Sequence, residues 1–418
     1  MVIDSDTRRV PGLAMTEANT VIASASVIPV KVIKTLHVSY QIPDPLPWAQ
    51  LAGPLAAAED ALARLDERLA KSPISDGFVA RTHFTDACAS LWLEGELVHL
   101  EDLVLHDAGM DIRSPTHELT RAHAVLRTRR RIAAAKPDWA LSVRGLASLR
   151  GRGGQGDREA GSDDRKEGAH DGGGANDAEA TLDGENLDQP LVMIETDPRL
   201  AAAFAAVDAA IAKSDRTLAG ETTRRPERDP LVYDLDWDED ARIEDWQRIV
   251  DRTRTLPPAL AAAITADAWD RVEPLQHMPW LGRLLASAVL RARGKTRWHL
   301  SCLHAGLKTI PRERRRSSDP ASRLLTQFEA MTAAADAGLK DHDRWLNQRT
   351  LLTRKLVGRR TTSKLPALLD YMLARPIASA GMIAAELKIT PRAAQDLVAE
   401  LGLREATGRG RYRAWGIL

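Results

Sequence analysis

Cysteine is nearly absent: two residues in 418, Cys88 and Cys302, and no CxxC pair. This excludes a disulfide framework and a zinc-finger site, which need clustered thiols, and it fits a reducing cytoplasm. Long apolar runs are missing as well. No stretch approaches the ~20 residues that a membrane helix requires. The opening MVIDSDTRRV carries acids early and has no continuous apolar centre, unlike a secretory leader. Nor is there an excess of either charge, since 58 Lys/Arg meet 58 Asp/Glu; partners must be read from local charge. Phosphate-cradling and nucleophile motifs (GxGxxG after a strand, GxxxxGK[ST], GxSxG) do not occur. A soluble, cytoplasmic protein without membrane contact is expected.

What the chain has is alanine and leucine, which lose little rotamer freedom in helices, so a mostly α fold is expected. Residues 1–47 read as an irregular N-terminal arm with room for one strand, ending at Pro43, Pro45 and Pro47. Residues 48–149 read as the first part of a helical body. Apolar spacing gives a helix from Trp48, then two helices broken near Gly95. A further helix has Ser114 as its N-cap, Pro115 in its first turn and Glu118 where an acid favours the start. Residues 150–188 are rich in Gly, Asp, Arg and Glu and almost free of large apolar side chains. Too little surface can be buried there to offset ordering, so a disordered internal linker is expected. Helical periodicity resumes over 189–350, the second part of the body. The 10 Trp are spaced singly, as core or interface packing requires, not clustered as a stacking platform for single strands.

Residues 351–418 read as a winged helix-turn-helix. Three amphipathic segments follow one another: SKLPALLDYMLARP, ASAGMIAAELKI and TPRAAQDLVAEL. In the third, Thr390 is placed to cap and Pro391 falls at the first helical position. Ala394, Leu397, Val398 and Leu401 share its inner face. Arg392 and Gln395 are left outward near its start, where a recognition helix reaches base edges. A glutamine amide suits adenine and a guanidinium suits guanine or phosphate. The ending LREATGRGRYRAWGIL alternates around a Gly-containing turn like a β-hairpin. Arg409, Arg411 and Arg413 alternate along it, giving one basic face. From Leu351 onward 12 Lys/Arg oppose 5 Asp/Glu, an asymmetry that suits nucleic acid.

Further upstream, ACASLWLEGELV is similar to the Ser/Thr-x-x-x-Glu-Gly inhibitory helix of Fic-type adenylyltransferases, matching at Ser90, Glu94 and Gly95. HMPWLGRLLASAVLRARG resembles the end of their catalytic loop and the helix after it, with His277 and Arg283 at the outer His and distal Arg. The resemblance implies a Fic-like helical body, but about five residues of the loop are gone, with the metal-holding acid and the Gly-Asn-Gly cradle among them. The catalytic motif is therefore incomplete. His277 and Arg283 are weak catalytic candidates, and Glu94 is expected to be a relic that pairs with Arg283. The whole order of segments also resembles an uncharacterised family of bacterial, often plasmid-borne proteins, in which a domain of unknown function precedes a helix-turn-helix DNA-binding domain.

His99, Asp102 and His106 share a helical face, but the chain has no HExxH and no open ligand set, so neither a metal nor a cofactor is expected. The reading is a DNA-binding protein, a transcriptional regulator or plasmid-associated factor. Double-stranded DNA would be held by Thr390, Arg392, Gln395, Arg409, Arg411 and Arg413, and the body would form a homodimer or receive a signal. The alternatives are a Fic-like AMP transferase with a rebuilt loop, or a protein-interaction scaffold.

Overall fold

The computed structural model describes residues 40–110, 114–151, 237–358, 363–407 and 413–417. Nearly all of the expected N-terminal arm, and all but the first two residues of the expected linker, lie outside the described residues.

Helix α1 (Trp48–Ala70) buries Leu51, Leu55, Leu62, Leu65 and Leu69 as one stripe. α2 (Ser75–Glu94) stops at Gly95, whose left-handed φ of 94° suits a residue without a β-carbon, and α3 (Leu100–Asp107) follows. α4 (His117–Ala134) corrects the expected cap. The hydroxyl of Thr116 accepts from the Leu119 amide at 3.3 Å. Ser114 lies two residues too early to reach a first-turn amide. Glu118 does stand in that first turn. α5 (Val143–Leu149) is capped by Ser142 and α6 (Glu239–Arg252) by Asp238.

α7 (Pro258–Val272) is the central helix, buried at almost every position. α8 (Leu281–Ala292) packs closely on it because Gly282 has no side chain: a β-carbon there would lie 2.2 Å from the Trp269 ring. α9 (Leu303–Lys308) and the short α10 (Arg312–Arg315) lead to α11 (Pro320–Arg354). At ~1.5 Å per residue this last helix is about 50 Å long, and it packs along α1, α7 and α9. Trp246 and Trp269 meet edge to face at 5.3 Å in the core. Trp48, Trp92 and Trp298 depart from the expected burial at 46%, 38% and 53% exposed. Trp92 instead carries Lys308 and Arg315 over its ring.

The chain then forms α12 (Leu365–Leu373), β1 (Ala378–Ser379), α13 (Ala380–Leu387), α14 (Pro391–Leu401), β2 (Arg404–Glu405) and β3 (Ala414–Gly416). The strands make an antiparallel sheet in the order β1-β3-β2, with Ala378 opposite Trp415 and Arg404 opposite Gly416. Among the described residues no helix is long and apolar enough to cross a membrane.

Charged side chains tie the body together from within. Arg129 and Asp86 are fully buried and pair at 2.6 Å. Arg129 also donates to the carbonyls of Leu300 and Ser301. Asp86 accepts from the Ala305 amide at 3.0 Å and meets His304 Nδ1 at 2.8 Å, while His304 Nε2 faces the Trp280 carbonyl. Burial alone would raise Asp86, but Arg129, His304 and the Ala305 amide overcome it and hold the carboxyl at about 2. An ion pair this deep persists because its hydrogen bonds are filled. Three further arginines close helix ends by donating to exposed-end carbonyls: Arg291 to Ile132 and Ala135 after α4, Arg293 to Thr253 and Leu256 after α6, and Arg242 to Val272 at the end of α7. A cation there meets both the orphan carbonyls and the negative end of the helix dipole.

Candidate nucleic-acid interface

The turn between α13 and α14 is built from three residues. Lys388, the C-cap just past α13, takes a left-handed φ of 51°, and Ile389 folds its amide back to the Ala384 carbonyl at 3.0 Å. Thr390 then caps α14: its hydroxyl accepts from the Ala393 amide at 3.2 Å, and Pro391 occupies the first helical position. This is the local geometry that the Thr-Pro pair predicts.

α14 divides into two faces. Ala394, Val398 and Leu401 are buried and Leu397 is half-buried, whereas Arg392, Gln395, Asp396, Ala399 and Glu400 face outward. The Arg392 side chain is 85% exposed, with Asp396 at 3.9 Å as its loose partner. An exposed pair at that distance contributes roughly 0–1 kcal/mol and exchanges readily for a phosphate. Lys364, Lys388 and Arg404 are also exposed. The first-turn amides of a capped helix add a partial positive charge in the same place.

β2 and β3 continue the expected hairpin. The Ala406 amide donates to the Ala414 carbonyl at 2.8 Å, and the Ala414 amide donates to the Thr407 hydroxyl at 3.1 Å. Arg413 is exposed on it, 3.6 Å from Glu405. Arg409 and Arg411 lie outside the described residues.

Two cations that periodicity did not single out hold this module to the body. Arg81, buried in α2, donates to the carbonyls of Met372 (3.3 Å) and Ile417 (2.9 Å) and lies over the Trp345 ring at 4.5 Å. Burial first, and then Arg344, pull its guanidinium down to about 10 against Asp341, so it stays charged near neutrality. Lys355, one residue past α11, donates to the Leu401 carbonyl at 2.8 Å and closes α14. For Arg81 a signal existed: it stands between Phe78 and Phe84 on an apolar face, where a charge needs a buried partner. Lys355 carries no such mark.

The positions carried over from Fic-type proteins are arranged differently from expectation. Glu94 pairs with Arg121, not Arg283, and the same guanidinium holds Glu96. The reason is packing: α4 runs against α2 and delivers Arg121 to its end. Burial keeps the Glu94 carboxyl above the usual carboxylate range, although Arg121 and then Arg283 pull it down. The Ser90 hydroxyl turns back to the Ala87 carbonyl at 2.7 Å. His277 is exposed in the turn before α8, and Arg283 faces Asp270 at 3.3 Å.

Comparison with known proteins finds two matched regions. Residues 231–357 match a family described as a protein of unknown function (DUF1612), and residues 365–418 match one described as an HTH DNA binding domain. The chain is 48% identical over 376 residues to the "Uncharacterized protein y4cF" of Sinorhizobium fredii, covering 85% of this chain and 93% of that protein. These matches are not to Fic-type proteins.

Proposed function

Because the chain belongs to the family of that rhizobial protein, in which a body of unknown function precedes a helix-turn-helix DNA-binding domain, we propose that it binds duplex DNA and acts as a regulator of transcription or as a plasmid-associated factor. α14 is the recognition helix. Gln395 and Arg392 read base edges in the major groove, and Thr390 sets the helix start against a phosphate. The β2–β3 hairpin is the wing, with Arg409, Arg411 and Arg413 on the backbone of the duplex. The observation that carries this reading is the outward face of α14: its inner residues seat it on the module, while Arg392 and Gln395 are covered by nothing among the described residues.

Asp396 and Glu400 share that outer face, so α14 by itself is not attractive to DNA. Attraction has to come from the cations around it, and specificity from the fit of Gln395 and Arg392. A salt titration of DNA binding by mobility shift therefore tests the idea. Affinity should fall steeply with salt as phosphate contacts release counterions. Arg392→Ala should weaken binding by about 1–3 kcal/mol if it reads a base, or lower the salt slope by about 1 if it holds a phosphate. Binding that ignores both salt and Arg392 would sink the proposal.

A further inference from the structure

A cavity of about 540 Å³ opens between the α7–α8 turn and the start of α11, and five arginines line it. Its size falls within the roughly 300–1,000 Å³ of small-molecule sites. One of the five is neutralised: Arg323 grips Asp267 through two bonds of 2.6 and 3.1 Å, and Asp267 also takes the Tyr40 hydroxyl. The other four are held less tightly or have no carboxylate partner among the described residues. Arg283 reaches Asp270 only at 3.3–3.4 Å, long for a charge-assisted bond. Arg271 and Arg316 have no carboxylate within ion-pair distance among the described residues, and Arg315 donates to the Ile310 carbonyl.

Two buried donors at this cavity lack an acceptor among the described residues. One is the Arg283 Nε; the other is the indole N–H of Trp269, a residue only 1% exposed. Buried donors without acceptors are uncommon and costly. The guanidinium groups also crowd one another: burial first, then Arg283, Arg316 and Arg312, depress Arg315. Asp267, Asp270 and Glu273 also line the cavity, so the five arginines outnumber its carboxylates by two, and that excess is relieved by an anion that answers several guanidinium groups at once.

We propose that this cavity binds a phosphorylated small molecule. A phosphate ester carries close to two negative charges and three acceptor oxygens, which can engage more than one guanidinium; a monocarboxylate answers one. The volume exceeds what a bare phosphate fills, and Leu275, Pro279 and Leu307 supply an apolar wall for the organic part. Asp270 competes with the ligand for Arg283. The inference is independent of the DNA-binding reading.

Calorimetric titration of the full chain with pyrophosphate, glucose 6-phosphate and ADP tests it, the last two separating a sugar phosphate from a nucleoside phosphate. One organic phosphate should bind at one per chain and more tightly than pyrophosphate. Arg283→Gln and Arg316→Gln should each weaken it about tenfold, and Arg316 is exposed, so that variant should keep its thermal midpoint. Asp270→Asn should tighten binding, which a purely structural role for the cluster does not explain. No binding by either organic phosphate, binding that both arginine variants leave unchanged, or displacement by a short DNA duplex would each overturn the assignment.

Discussion

Arginine does opposite work in the two halves of this molecule. In the helical body, Arg129, Arg242, Arg291 and Arg293 point inward and donate to backbone carbonyls, the last three of them at helix ends. In the C-terminal module, Arg392 and Arg413 point into water, each only loosely paired. Residue type is the same; the acceptor differs. An arginine whose donors are filled by carbonyls of its own chain holds the fold, and one whose partner is a distant surface carboxylate is available to something else. The comparison teaches that a basic residue signals nucleic acid only after its internal partners have been counted.

The strongest challenge to this contrast is Arg129→Met. It leaves Asp86 buried without its guanidinium, held only by His304 and the Ala305 amide, so unfolding stability should drop by about 3–5 kcal/mol, read as a lower urea midpoint. A midpoint near that of the unaltered chain would show that the inward arginines are not structural. Next comes Arg81→Met, which bares two carbonyls and should cost about 1–3 kcal/mol. Here the readout is local: hydrogen exchange should speed up at Met372 and around β3 while α7 stays protected. Uniform acceleration would mean that the module is not separately clasped.

Acid gives a third and gentler handle. His83 is buried, and desolvation, followed by Arg129 and Arg130, holds its imidazole down at about 3 against the pull of Asp86. Below its ordinary value of 6.5 the unfolded chain takes up a proton that the folded chain excludes. Stability should therefore decline as pH falls from about 6.5 toward 3, by up to ~1.4 kcal/mol per pH unit. Asp86 adds to the loss from its ordinary 3.8 down to about 2, because there the unfolded chain again binds the extra proton. Denaturation midpoints at pH 7 and pH 5 measure the first effect, and His83→Leu should flatten it. The smallest expected effect is the most diagnostic. Arg392→Ala should change stability by less than about 0.5 kcal/mol while weakening DNA binding; a large stability loss would place Arg392 with the body's arginines.

Much of the architecture was legible without coordinates. The break at Gly95, the helix from Trp48, the Thr390-Pro391 start of α14 and its buried Ala394 and Val398 all follow from spacing and capping rules that act within a few residues. The misplaced cap of α4 shows the limit of such rules, since Ser114 and Thr116 offer the same hydroxyl and the backbone chooses between them. Glu94 shows a different limit. Its sequence motif says nothing about which arginine α4 will bring beside it.

Local order in the chain determined that the protein is helical, where the helix at Trp48, the break at Gly95 and the Thr390-capped helix fall, and that a helix-turn-helix lies in its C-terminal part, because those outcomes depend on neighbours at one to four positions. Tertiary structure alone decided which arginines are clasps, which are crowded around a cavity and which face water. Arg81 finds the Ile417 carbonyl across 336 positions and Arg129 the Leu300 carbonyl across 171. A hydrogen bond depends on distance and direction in space, and no local pattern records which carbonyl a folded chain will bring within 3 Å of a guanidinium.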